Sequence, residues 1–253
     1  MIRALLALLL SGLPATAWCA PQRVVSLNLC TDQMLVLLAP EKVVGLTPLA
    51  RDPALSFVAR QAAGLPVVRP SAEAVLRLHP DLTLAAPFGA QATVAVLNEL
   101  GLNVLRARLP SDFAGIRAET RRLATALGVP QRGETLIAAM DEQLASLRPP
   151  PGRRTAIAWE PRGYTSGPGT LMDAVLRAAG LTNMGNGRLL GREALLRDPP
   201  DLLVVPDVPD YPSLATGIFD DPALAKIRRQ ALPPALTLCA GPFTARAASI
   251  LAR

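Results

Sequence analysis

The side chains most often used for catalysis are scarce in this chain: among 253 residues there is one histidine, His79, and three cysteines, Cys19, Cys30 and Cys239. With no CxxC pair and a single histidine, the set cannot build a common protein zinc site. Hydrolysis by a Ser-His pair is also disfavoured, because the chain has no G-x-S-x-G elbow and His79 lies inside a helix-stop motif. The loop from Arg162 to Thr170, Arg-Gly-Tyr-Thr-Ser-Gly-Pro-Gly-Thr, follows a predicted strand and opens a helix, the setting of a phosphate cradle. No lysine follows its glycines, so no side chain would reach terminal phosphates. What remains is suited to holding a ligand. Arg51, Arg162 and Arg246 follow predicted strand ends and could meet anionic oxygens. Glu73 and Glu193 each sit in the first turn of a predicted helix, where the helix dipole favours a carboxylate.

Those two glutamates open a repeat. Glu73-Ala-Val-Leu-Arg-Leu-His-Pro-Asp-Leu-Thr-Leu returns as Glu193-Ala-Leu-Leu-Arg-Asp-Pro-Pro-Asp-Leu-Leu-Val. Each copy reads as a short helix, a proline stop, an aspartate suited to the turn, and a continuous apolar strand of the kind buried on both faces of a parallel sheet. Around the first copy the pattern predicts strands over 23–27, 42–46, 82–85 and 103–106. The helices predicted there cover 32–38, capped by Asn28 or Thr31, 90–100 and 112–127. One helical run, 131–147, separates the halves. Beyond the Pro149-Pro150-Pro151-Gly152 stop, the alternation restarts with strand 155–158 and helix 171–179, then the second copy and a proline-rich excursion from Pro206 to Pro212. Helix 222–229, strand 236–239 and a last helix from Phe243 complete it. The expectation is α/β: two Rossmann-like lobes with parallel sheets, 18–128 and 151–253, joined by a single long helix within 129–150.

Residues 1–17 read as a secretory signal, with Arg3, the apolar block Ala4 to Leu10 and the small-x-small site Ala15-Thr16-Ala17. That block is far short of the ~20 residues that span a bilayer. Lipidation at Cys19 is the alternative, against which stands the bulky Trp18. The net charge of +6 is carried by arginines scattered among apolar residues, with no basic arm for nucleic acid. An oxidising compartment permits a Cys30–Cys239 disulfide, but the two come from different lobes and Cα atoms more than ~7 Å apart cannot be bridged. Buried free thiols are the expectation.

The ordered set Arg23-Val-Val-Ser-Leu-Asn-Leu-Cys-Thr-Asp-Gln, Val44-Gly-Leu-Thr-Pro and Glu73 with its Pro-Asp-Leu stop resembles the N-terminal lobe of a known family. Tyr164-Thr-Ser-Gly-Pro-Gly-Thr, Ala179-Gly-Leu-Thr-Asn, Arg192-Glu193 and Pro200-Asp201 are similar to its C-terminal lobe. The family is the periplasmic substrate-binding proteins of ABC importers for ferric siderophores, haem and cobalamin, whose lobes are bridged by one backbone helix. The resemblance implies a monomer without catalytic activity or cofactor, which takes a metal chelate or a corrinoid into the cleft. It also implies that Glu73 and Glu193 dock on arginines of the permease, and that Tyr164 faces ligand with stacking area and a polar hydroxyl. Asn28, Arg51, Phe88, Arg162 and Arg246 complete the expected ligand-binding set. Leu49 and Phe88 lie near positions where cobalamin-binding members often place Tyr or Trp, and the turn Cys239-Ala-Gly-Pro-Phe243 lacks an acidic residue some of them use. With 4% aromatic residues, no large aromatic cage is expected. A secreted haem or metal chaperone without an importer is the alternative, and an α/β hydrolase a remote one.

Overall fold

The computed structural model describes residues 20–149, 151–207 and 221–253. The export segment 1–17, Cys19 and most of the excursion 206–212 lie outside them. The N-terminal half runs β1 Val24–Ser26, α1 Leu29–Leu38, β2 Val43–Gly45, α2 Ala59–Ala62, α3 Ala72–Leu76, β3 Leu82–Ala85, α4 Gln91–Glu99, β4 Val104–Arg106 and α5 Phe113–Ala126. After α6, Pro130–Ala145, come β5 Arg154–Ala158, α7 Leu171–Ala178, β6 Leu181–Asn183, α8 Arg192–Arg197, β7 Leu202–Pro206, β8 Arg229–Leu232 and α9 Ala245–Leu251. Two four-stranded sheets result, ordered β2-β1-β3-β4 and β6-β5-β7-β8, with every pairing parallel.

The sequence repeat is a structural one. Its strands, β3 and β7, pair with the first strand of their lobe in the same way, Val24 opposite Leu82 and Ala156 opposite Leu202. All four residues of β3 are buried, as a strand covered on both faces by helices requires. The repeated aspartate does more than turn the chain. Asp81 accepts from the backbone N–H groups of Gln22 (2.7 Å) and Arg23 (3.0 Å) at the head of β1, and Asp201 accepts from the N–H (2.7 Å) and hydroxyl (2.9 Å) of Thr155 in β5. Each carboxylate thus staples the incoming end of a neighbouring strand, which explains why Pro-Asp-Leu recurs. Asp81→Ala and Asp201→Ala are each expected to lower the melting temperature by a few degrees, because the strand-end N–H groups lose their acceptor. The sites lie in different sheets, so the double variant should show additive falls; calorimetry on the three variants checks this.

α6 grips both lobes. It is salt-bridged to α5 through Arg117–Asp141 (2.6 Å) and Arg121–Glu134 (2.7 Å), and Gln143 donates to Ser249 on α9 at 3.0 Å. Gly133 permits the close approach of α5 and α6, for a Cβ there would lie 2.5 Å from that of Ala124. Four helices, α1, α3, α5 and α7, begin where a capping side chain stands: Asn28 accepts from Cys30, Ser71 from Ala74, Asp112 from Gly115 and Thr170 from Asp173.

The last part of the chain departs from the sequence expectation. The strand expected at 236–239 is not one: Pro234–Leu236 forms a 3-10 turn, and the fourth strand of the sheet is Arg229–Leu232. Pro233 and Pro234 supply no ladder N–H, so pairing stops before them and the apolar Leu-Thr-Leu-Cys run becomes a loop. Helix 222–229 shrinks to the 3-10 turn Pro222–Leu224 for the complementary reason, since Ile227 is needed in the core beneath the sheet. β6 was legible only as a helix end.

Candidate functional site

In a parallel sheet ligands gather at the carboxyl ends of the strands, where the connecting loops diverge. Here those ends are Asn28, Thr47 to Leu49, Pro87-Phe88 and Arg108-Leu109 in the first lobe, and 159–164 and 233–238 in the second. The two sets meet. Cys30, just after β1, is disulfide-bonded to Cys239, seven residues past β8, with Cα atoms 5.1 Å apart. Beside the bridge, Phe57 stacks on Phe243 with centroids 4.8 Å apart and planes 14° from parallel, and the Arg246 guanidinium lies 4.7 Å from the Phe57 centroid. The expectation of free thiols is therefore wrong. It treated two cleft-facing loops as separated, whereas both cysteines lie where the lobes close on one another, packed with Leu29 and Phe243.

The carboxyl-end loops leave large apolar side chains uncovered: Leu49, Phe88 and Leu109 on one wall, Tyr164, Leu189 and Leu238 on the other. Phe88 is 71% exposed and Tyr164 48%, too much for core residues. Both are presented on braced loops. The Gln91 side chain donates to the carbonyls of Ala86, Pro87 and Gly89 around Phe88. Around Tyr164, Glu160 N–H donates to the Tyr164 carbonyl at 2.7 Å, Leu190 N–H to that of Gly163 at 2.8 Å, and Thr165 N–H to that of Arg188 at 3.1 Å. Trp159 is fully buried beneath them and its indole N–H donates to Leu190. A cavity of about 440 Å³ opens at the ends of β5, β7 and β8, lined by Trp159, Glu160, Ser166, Leu171, Val205 and Leu238. A larger one, about 920 Å³, lies at the opposite end of the first sheet beside Ala20, Asp81 and Asn103, away from all the expected site residues. The smaller is the better candidate, because its walls come from carboxyl ends and its rim carries Tyr164's loop.

The remaining expected residues divide. Asn28 stands at the cleft, but its side-chain oxygen caps α1. Arg51 is turned onto the carbonyls of Ala62 and Leu65, which fastens the segment after β2 to the end of α2. Arg246 covers Phe57 at the lobe junction. Arg162 is exposed in the turn before Tyr164, with φ of 64°. Glu73 and Glu193 are exposed, at 80% and 71%, and paired with Arg77 (2.6 Å) and Arg192 (3.1 Å). His79 lies at the entry end of β3, remote from the cleft, and its carbonyl accepts from Arg23. Among the described residues, no group of three or more His, Cys, Asp or Glu side chains could hold a metal ion, and no helix is long and apolar enough to cross a membrane. Sequence reasoning missed Leu109, Leu189 and Leu238, single leucines in irregular loops with no periodicity to betray them. It also missed Asp32, buried in α1 with its carboxylate accepting from the N–H and hydroxyl of Thr47.

Known proteins share this fold. A family described as periplasmic binding protein matches residues 24–229. A cobalamin-binding protein of Halobacterium salinarum is 26% identical over 200 residues, covering 73% of this chain and 53% of its own length, so the chain spans about half of that relative. Among solved structures, the periplasmic heme-binding protein RhuT from Roseiflexus sp. RS-1 in apo form superposes with a TM-score of 0.73 at 26% identity, over 91% of this chain and 96% of the other. A periplasmic heme-binding protein from Pseudomonas aeruginosa gives 0.71 at 25%, covering 92% and 91%. HutB of Vibrio cholerae, at 17% identity and a TM-score of 0.74 over 90% and 96%, shares the fold. The matched region begins at β1 and runs through both sheets to β8, and the chain accordingly belongs to the periplasmic binding protein family, of the type in which one helix joins two parallel-sheet lobes.

Proposed function

We propose that this protein is the periplasmic, non-catalytic solute-binding component of an ABC importer, with lobes 18–128 and 151–253, and that it captures a metal-bearing chelate between them. A tetrapyrrole, haem or a cobalamin, is the favoured ligand, in view of the heme-binding and cobalamin-binding proteins it resembles over most of its length; a ferric siderophore is the other member of the class. The observation that carries the reading is the set of uncovered apolar side chains, including Phe88 and Tyr164, that follow the strand ends of both lobes. A monomeric soluble protein rarely leaves such residues grouped without a ligand or partner to cover them. Tyr164, Phe88, Asn28 and Arg162 are the proposed contacts, with Arg51 and Arg246 bracing the walls. Export through the segment 1–17 is part of the proposal.

Titration with haemin, cyanocobalamin and a panel of ferric siderophores tests it, followed by visible absorption; binding of none of them overturns it. Tyr164→Ala should weaken binding of the true ligand by about 1–3 kcal/mol, the range for a buried aromatic contact, while the melting temperature of the free protein changes little. A loss of stability with unchanged affinity would instead make Tyr164 a structural residue of its loop.

A further inference from the structure

We infer that the Cys30–Cys239 bridge, together with the Phe57–Phe243 stack, is a positioning latch that sets the width of the inter-lobe cleft. The inference deepens the binding role proposed above. Cys30 is two residues from Asn28, on the first wall, and Cys239 directly follows Leu238, which lines the cavity of the second. Whatever fixes the two sulfurs therefore fixes the separation of the walls. Among the described residues the chain passes between the sheets through α6, and bending that helix would break its backbone hydrogen bonds. A second covalent tie, at the cleft itself, removes most of the rigid-body freedom that one helical strut leaves. The stack adds a third restraint: Phe57 belongs to the first lobe, Phe243 and Arg246 to the second, and opening would separate two aromatic faces and a cation from a ring. Beside the bridge a void of only about 20 Å³ is bordered by Cys30, Met34, Ala86 and Ala107 of the first lobe and Ala240 of the second. A cleft held in this way presents its ligand with walls already placed, and affinity is not lost to a population of open forms.

The experiment compares oxidised protein, protein reduced with a phosphine and then reoxidised, and the Cys30→Ala/Cys239→Ala variant, by small-angle scattering and by titration with haemin and cyanocobalamin. Oxidised protein is expected to keep the same radius of gyration with and without ligand. The reduced and variant forms are expected to be larger when empty, to contract on binding, and to bind about tenfold more weakly if about a tenth of the empty molecules hold the competent width. Reoxidation should restore both properties, which a general loss of structure would not allow. Unchanged size and affinity in a folded variant overturns the latch. So does loss of cooperative melting on reduction, which would make the bridge a staple of the fold and not of the cleft. If the oxidised protein binds neither probe, the ligand assignment fails while the scattering of the empty forms still decides the latch.

Discussion

Replacing both Glu73 and Glu193 by arginine is expected to abolish delivery of ligand to the permease, by about 100-fold or more, and to leave ligand affinity within about twofold, because paired charges at a rim govern partner docking. The two carboxylates hold the second position of α3 and of α8, the same place in the two copies of the repeat, so they project from corresponding points on the two lobes. Their intramolecular partners, Arg77 and Arg192, are themselves exposed, and pairs of this kind contribute little to stability. Exchange for arginines on a partner therefore costs the fold almost nothing. The Glu193 carboxyl is held below the usual range first by its own backbone N–H at the helix start and then by Arg192, so it is fully charged at neutral pH. Reversal replaces two attractions by two repulsions, and single variants should fall between. The measurement is ligand-stimulated ATP hydrolysis by the reconstituted importer, with the isolated variants titrated in parallel. Full stimulation by the double variant would remove the docking role, and loss of ligand binding in a folded single variant would move that residue into the pocket.

Between about pH 5 and pH 7 the stability of the wild-type protein is expected to fall by a few kcal/mol, and Asp32→Asn to flatten that slope. Burial is the main cause: it raises the Asp32 carboxyl from 3.8 to about 7, against the opposing hydrogen bonds from Ser26 and Thr47. In the window between those two values the folded state keeps a proton that the unfolded chain has lost. Stability therefore declines as pH rises through it, is highest below the unfolded value and levels off above about 7. Carboxylates with lowered values, such as Asp201 and Asp221, act with the opposite sign but at more acid pH. In the Asn variant the amide oxygen can accept from the Thr47 N–H while its NH2 donates to the Thr47 hydroxyl, so the site stays satisfied without a charge to bury. Denaturant unfolding of both proteins across this range decides it: equal slopes would show that Asp32 is ionised in the fold at little cost. The effect touches the cleft, because Leu49 lies two residues after Thr47.

The α/β alternation, the two-lobed plan and the bridging helix were legible because each rests on local chemistry that leaves its mark in order along the chain. Asn28, Ser71, Asp112 and Thr170 announce helix starts, the glycines at 101, 128 and 180 announce ends, and the runs 82–85 and 202–205 are apolar without alternation, as strands buried on both faces must be. The repeat disclosed the internal symmetry, since equal tasks, such as stapling the head of the neighbouring strand, select the same aspartate twice. Tyr164 and Phe88 could be singled out only through the family resemblance, which places their loops at the cleft.

By itself, then, the sequence determined the alternation of elements up to the second repeat copy and the two carboxylates placed alike in the two lobes. The tertiary structure alone decided which distant segments meet. Cys30 and Cys239, Phe57 and Phe243, and Asp32 and Thr47 are contacts between segments whose separation along the chain carries no periodic signal, and the loop from Pro233 to Cys239 could be told from a strand only by where the prolines end the ladder. Local propensity is written residue by residue, whereas the closure of two lobes depends on the shapes of surfaces that exist only once each lobe has folded.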